Sequence, residues 1–276
     1  MMDRRTTPAN GRVAHAGLMG RVEAERFVEG EWASVVVPLA NLLAAPEGVR
    51  DRQLLLGDRV LVLDRRDQYA FVQAAKDGYC GYVEEACLGQ DQSATHWVAV
   101  PATHLYGTAS IKKIERAMLS LGARLSISKI DGKFAETTDG RFVPATHLLP
   151  IGEVLDDPAS VAEMFLGTPY LWGGNSRSGI DCSGVVQASL LACGKACPGD
   201  SDLQYEALGA PVDEGSGYRR GDLFFWKGHV AMAVDGERII HANGFRMAVT
   251  YEGIAEALQR ISEQEGLDAF LGVRRP

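Results

Sequence analysis

Between Trp32 and Pro150 the chain alternates short apolar runs with turn residues at close intervals. Val35-Val36-Val37 stops at Pro38, Arg59-Val60-Leu61-Val62-Leu63 follows Gly57-Asp58, and Tyr69-Ala70-Phe71-Val72 precedes Lys76-Asp77-Gly78. β-Branched and aromatic residues suit a pleated surface, and Gly, Pro and Asp suit the turns, so this stretch predicts many short strands in a small barrel or sandwich. Beyond Pro150 the texture changes. Ser160-Val161-Ala162-Glu163-Met164-Phe165 predicts a short helix, with Asp156 or Asp157 before Pro158 as its cap. A glycine-rich loop and an apolar helix over 182–192 follow, then strands at 222–226, 229–234 and 238–242 and a late helix over 254–261. Helices and strands are segregated here, which predicts an α+β domain rather than an alternating α/β sheet. Residues 1–31 are polar and read as an arm leading into the first folded segment.

Three segments of the strand-rich half recur in order. VPLANLLAAP from Val37 matches VPATHLYGTAS from Val100, and LLLGDRVLVL from Leu54 matches LSLGARLSIS from Leu119. Gly81-Tyr82-Val83 with Leu88 then matches Arg141-Phe142-Val143 with Leu148. Offsets of 60 to 65 residues with the order kept imply two copies of one small β domain, over 32–90 and 96–150.

Charge narrows the partners. The net charge of −8 comes with no sustained basic run, which argues against nucleic acid and anionic surfaces and favours a small cationic or zwitterionic substrate. The early arginines Arg4 and Arg5 precede no apolar core of a signal peptide, and no stretch approaches the roughly 18–20 apolar residues that span a bilayer. A cytoplasmic location without membrane contact is therefore expected. Five cysteines are an odd set for a disulfide framework, so Cys80, Cys87, Cys193 and Cys197 read as reduced. Cys193 and Cys197 could stand one helical turn apart, but without a nearby histidine or second cysteine pair they are a poor zinc signal, and neither metal nor cofactor is expected.

Cys182 is different. The segment Trp172-Gly173-Gly174-Asn175-Ser176-Arg177-Ser178-Gly179 is too glycine-rich for helix, whereas Val185-Val186-Gln187-Ala188-Ser189-Leu190-Leu191 is helical and apolar. Cys182 thus falls at a helix start, where unpaired N–H groups and the helix dipole favour a thiolate. Such surroundings lower a cysteine pKa from about 8.5 to about 3.5–7.5. The N–H groups of Cys182 and Ser183 are candidates for an oxyanion hole. The plain alternative is a small buried side chain, which is accepted for Cys193 and Cys197. Asp181 has two readings, a substrate contact or the helix N-cap.

A thiolate nucleophile needs a base. His229 opens an apolar strand after Lys227-Gly228, and His241 sits on the next strand, joined to it around Asp235-Gly236. A lone histidine there is more often structural. Because side chains alternate along strands, the two imidazoles share a face only if the connecting loop holds an odd number of residues. On a shared face, His241 can orient His229 as the third member of a triad.

Four motifs in order resemble the NlpC-type family of bacterial cysteine peptidases over roughly residues 155–276: Gly167-Thr168-Pro169-Tyr170-Leu171-Trp172-Gly173-Gly174, Asp181-Cys182-Ser183-Gly184, Gly221-Asp222-Leu223 with Gly228-His229-Val230, and Ile240-His241-Ala242. The resemblance implies a papain-like α+β domain with Cys182 as nucleophile, His229 as base and His241 as orienting residue. It implies an oxyanion role for Tyr170, whose other reading is loop packing. The two β copies resemble bacterial SH3-like (SH3b) barrels through Leu56-Gly57-Asp58-Arg59-Val60-Leu61-Val62-Leu63 and the closing Gly78-Tyr79-Cys80-Gly81-Tyr82-Val83.

Members built this way resemble γ-D-glutamyl-L-diamino-acid peptidases, which cut peptidoglycan stem peptides bearing a free N-terminal L-Ala. The resemblance implies that Tyr79 and acidic side chains near the cysteine close on the substrate amine. Asp200 is the match for the acid, but Gly199 stands where relatives have arginine, which lets the assignment slip to Asp202. A buried carboxylate rewards only substrates that carry the matching ammonium. Release of L-Ala-D-Glu in cell-wall recycling is the expected function. An exported wall-remodelling endopeptidase and a non-catalytic SH3b peptide-binding protein are the alternatives.

Overall fold

The computed structural model describes residues 2–213 and 215–276. The chain divides into two compact units, Met1–Glu153 and Val154–Pro276, and is of mixed α+β type.

In the first unit, β1 (Val13–His15) and β2 (Arg26–Val28) pair in parallel. The first β copy then comprises β3 (Glu31–Val35), β4 (Leu39–Leu43), β5 (Arg50–Leu55), β6 (Arg59–Arg66), β7 (Tyr69–Ala74), β8 (Cys80–Glu84) and β9 (Leu88–Gln90). Among the described residues these form one sheet in the order β5-β4-β8-β7-β6-β3-β9. The second copy comprises β10 (His96–Val98), β11 (Ala102–Tyr106), β12 (Glu115–Ser120), β13 (Arg124–Leu125), β14 (Ile127–Asp131), β15 (Phe134–Thr137), β16 (Phe142–Pro144) and β17 (Leu148–Pro150).

Its sheets, β12-β11-β16-β15-β14 and β13-β10-β17, repeat the first pairing order, with the long β6 replaced by β13 and β14. Even the register shift recurs, between Leu42 and Leu43 in one copy and between Leu105 and Tyr106 in the other. The sequence repeat is therefore a structural repeat. The copies are not independent beads, because Leu55 and Leu56 pack with Val98, Leu105, Leu119 and Leu125 of the second core. At their junction a Cβ on Gly57 would lie 2.3 Å from the Arg124 carbonyl oxygen.

Residues 2–31 are more than an arm. Val13 is fully buried and joins Leu61, Leu63, Phe71 and Cys80 in a cluster, with Val28 against it. The physical reason lies in β6, whose Val60-Leu61-Val62-Leu63 run is apolar at both parities. Val60 and Val62 fill the inner core, so Leu61 and Leu63 on the outer face need a cover of their own.

The second unit begins with α1 (Pro158–Glu163), capped by Asp157 through Ala159 N at 3.0 Å. Two short strands, β18 (Asn175–Ser176) and β19 (Gly179–Ile180), precede α2 (Cys182–Ala192) and α3 (Ser201–Ala207). Then come β20 (Ala210–Pro211), β21 (Leu223–Trp226), β22 (His229–Ala233), β23 (Arg238–Asn243), β24 (Ala248–Gly253), α4 (Ile254–Glu265) and β25 (Phe270–Arg275). The sheet order is β20-β25-β21-β22-β23-β24. Helices α1 and α2 pack against β22 and β23. Ile254, Ala257 and Ile261 of α4 pack on Phe224, Trp226, Ala231, Ala233 and Ile239.

The segments 223–226, 229–233 and 238–243 fall where the apolar pattern puts them. The helix α3 and the strands β24 and β25 are additional, and they carry too few apolar residues in period to stand out.

All five cysteines are unbridged; Cys80, Cys182 and Cys197 are buried. Cys193 is the C-cap of α2 and Cys197 lies in the following loop, so the two are not stacked on consecutive helical turns. Burial, then the charge of Asp77, pushes the Cys80 thiol up to about 12, which makes it inert. Among the described residues no helix is long and apolar enough to cross a membrane.

Candidate active site

Cys182 is the first residue of α2, as the glycine-to-apolar transition predicts. Asp181 is its N-cap. Asp181 Oδ1 accepts from Gly184 N at 2.6 Å and from Ser183 Oγ at 3.1 Å, and Oδ2 accepts from Gly173 N at 2.9 Å. One carboxylate thus ties the glycine loop to the helix start, which is the capping alternative for Asp181. The glycines are required by close approach. A Cβ on Gly184 would lie 2.6 Å from the Gly174 carbonyl oxygen, and one on Gly174 would lie 2.5 Å from that of Gly179.

Tyr170 is fixed by backbone on two sides. Its N–H donates to the Met247 carbonyl at 2.9 Å, and it bridges to Ile180. Burial first, then the charges of Cys182 and Asp181, pushes the phenol up to about 12. Tyr170 therefore stands in the electrostatic neighbourhood of Cys182 and keeps its donor proton.

The helix that begins at Cys182 packs on the two strands that carry His229 and His241. Gly228, at φ +75, turns the two-residue connection that pairs Trp226 with His229. Ala233 pairs with Ile239, which leaves five residues between them. That odd number puts His229 and His241 on one face, and His229 Nε2 lies 2.9 Å from His241 Nδ1. Burial, then the neighbouring His241 and Arg260, lowers the His229 pKa well below its usual value, against a smaller upward pull from Glu252. The imidazole is therefore held neutral rather than as the cation.

Three contributors were missed by the sequence. Glu252 Oε2 lies 3.0 Å from His241 Nε2, an ion-pair separation in which the oxygen is off the N–H line. Arg260 donates to both oxygens of Glu252, at 2.7 and 2.8 Å. Burial alone would raise Glu252, but Arg260 and His241 overcome it and bring the carboxyl down to about 2. Gln204, fully buried on α3, donates through Nε2 to the carbonyls of Ser183 at 2.9 Å and Pro198 at 3.0 Å. A sequence signal existed only for Glu252: it lies two residues beyond Thr250, the position opposite His241.

The remaining site candidates are placed as follows. Ser183 is buried with its hydroxyl turned to Asp181. Asp200 occupies the N-cap position of α3, where its carbonyl accepts from Gln204 N at 2.8 Å, and Asp202 is exposed in the first turn. Gln204 ties the start of that helix to the start of α2, which keeps both carboxylates on the segment anchored beside Cys182. Tyr79 lies in the first unit, 3 % exposed, within the core cluster of the first β copy. Asp222, in the third motif, is fully buried and grips Arg275 through two bonds of 2.7 Å. Its role is to pin β25 beside β21. Among the described residues no cluster of His, Cys, Asp and Glu is arranged to hold a metal.

A cysteine at a capped helix start and a paired set of histidines on two strands that this helix packs against suit a cysteine peptidase, and the chain belongs to the NlpC/P60 family. The family model matches residues 167–262, and a model for the bacterial dipeptidyl-peptidase SH3 domain matches residues 42–88. The chain is 31% identical over 237 residues to the gamma-D-glutamyl-L-lysine dipeptidyl-peptidase of Bacillus subtilis, covering 77% of this chain and 78% of that protein. It is 34% identical over 242 residues to dipeptidyl-peptidase 6 of Lysinibacillus sphaericus, covering 76% and 87%. The crystal structure of an NlpC/P60 family protein from Bacillus cereus superposes with a TM-score of 0.74 at 22% identity, covering 89% of this chain and 99% of that one, which shows a shared fold.

Proposed function

We propose that the chain hydrolyses the bond between γ-D-glutamate and the following diamino acid in peptidoglycan stem peptides with a free N-terminal L-Ala. It releases L-Ala-D-Glu for cell-wall recycling in the cytoplasm. The observation that carries the chemistry is the 2.9 Å contact between His229 and His241 on strands packed under the helix of Cys182. The substrate class rests on the dipeptidyl-peptidase relatives, which match across both units.

In this reading His229 takes the Cys182 proton and the thiolate attacks the γ-carbonyl carbon. The N–H of Cys182 and the Tyr170 hydroxyl receive the oxyanion. Collapse of the tetrahedral adduct breaks the C–N bond as His229 gives its proton to the leaving amine. The thioester is then hydrolysed by water, with His229 again as base, which restores the thiol and frees the γ-carboxylate. A papain-like arrangement of the second unit and two SH3-like barrels in the first complete the proposal, with Asp200 or Asp202 meeting the substrate ammonium.

Mass analysis of L-Ala-γ-D-Glu-diamino-acid tripeptide after incubation tests it. L-Ala-D-Glu is expected from the wild type and not from Cys182→Ala, and acetylating the substrate amine is expected to cut turnover sharply. Equal rates on free and acetylated substrate would remove the ammonium-recognition part, and turnover by Cys182→Ala would remove the nucleophile.

A further inference from the structure

His229 can serve as base only if the correct nitrogen is bare. With Nε2 turned to His241, the nitrogen left to take a proton is Nδ1, so the proton of the neutral ring must sit on Nε2. The 2.9 Å contact does not decide this by itself, because either imidazole could be its donor. The groups beyond decide it. His241 Nε2 faces Glu252, and an ionised carboxylate only accepts, so Nε2 of His241 carries its proton and Nδ1 is bare. A bare Nδ1 accepts from His229 Nε2–H, which leaves Nδ1 of His229 free to act as base.

Glu252 suits this task because Arg260 keeps it ionised and fixes both its oxygens. Among the described residues, His229 on β22 and Glu252 on β24 face His241, and Arg260 on α4 holds Glu252.

We propose that Glu252, clamped by Arg260, is a positioning residue that sets the tautomer of His241 and through it that of His229. The inference rests on the reading of His229 as the base of Cys182. Glu252→Gln should reverse the relay. Arg260 takes the glutamine oxygen, the amide NH2 then faces His241 Nε2, and His241 must donate from Nδ1 into His229 Nε2. The proton of His229 moves to Nδ1, the nitrogen that has to be bare.

Long-range 1H–15N correlation on the histidine-labelled full chain at pH 8 reads the protonated nitrogen of each ring. The wild type is expected to carry protons on Nε2 of both His229 and His241, and Glu252→Gln on Nδ1 of both. Turnover number in Glu252→Gln is expected to fall on the order of 10²-fold, less than the roughly 10⁴-fold loss from a misplaced tautomer directly beside a catalytic histidine, with KM held within about threefold. Glu252→Asp, which keeps the acceptor, should retain the wild-type tautomers.

Protons on Nδ1 in the wild type would overturn the proposal whether or not the variants fold. So would wild-type tautomers or wild-type turnover in Glu252→Gln. Loss of the Cys182 mechanism would show instead as turnover by Cys182→Ala, leaving the spectra to decide the relay on their own.

Discussion

Tyr170 remains a protonated donor because burial and two nearby negative groups act together on one phenol. A donor of that kind is worth most where an oxyanion develops in a site with little water. Tyr170→Phe is therefore expected to lower the turnover number about 10²-fold with little change in KM, measured by steady-state kinetics on the tripeptide. The glycines beside it are set by space. Adding a methyl group at Gly184 drives a Cβ to 2.6 Å from a backbone oxygen that cannot swing aside. Gly184→Ala is expected to cost about 1–3 kcal/mol in urea unfolding, and an unchanged midpoint would contradict the close packing of loop and helix. At this scale the helix start at Cys182 and the shared strand face of His229 and His241 were legible because each sits at a local boundary: a helix start, a turn, a strand of known parity. Glu252, Arg260 and Gln204 were not, since an acid, a base and an amide on amphipathic elements look the same whether they face a partner or solvent.

Among the elements, β24 and α4 hold the acid end of the relay, and their charges set the acid stability of the sheet. Glu252 falls from an ordinary 4.5 to about 2 on folding. Between those pH values the unfolded chain binds the extra proton, so this stabilisation is complete above 4.5 and lost as pH drops through about 2. His229 works in the same direction: its folded pKa lies below the ordinary 6.5, so acid favours the unfolded chain, which alone takes up the proton easily. Urea midpoints are expected to fall steadily from pH 7 to pH 3, and Glu252→Gln should flatten the part below 4.5. A variant profile parallel to the wild type would refute the assignment. The helix α2 was legible to the residue because a glycine loop abuts an apolar run. The helix α3 was not, because its seven residues are mostly polar and it is held by Gln204 rather than by an apolar stripe.

Over the whole molecule, order and repetition were the readable features. Two β copies with the same strand order follow from three matched segments, and the α+β unit follows from the change of texture after Pro150. At the start of the chain, Val13 and Val28 look isolated in the sequence until the doubly apolar β6 is seen to need a cover. Deleting residues 2–28 is expected to expose Leu61, Leu63 and Phe71, raising dye binding to apolar surface and lowering the melting temperature. Unchanged values for both would show that the segment is dispensable.

The grip of Asp222 on Arg275 bears on how the protein is made. Strand β25 lies inside the sheet, between β20 and β21, although it follows every other strand of that sheet in chain order. A growing chain still held at the ribosome can assemble the β copies first, at about 5–20 residues added per second. The sheet of the second unit has to wait for residues 270–275 to emerge, and until then the nascent chain has a buried carboxylate without its cation and an unfinished sheet against α2.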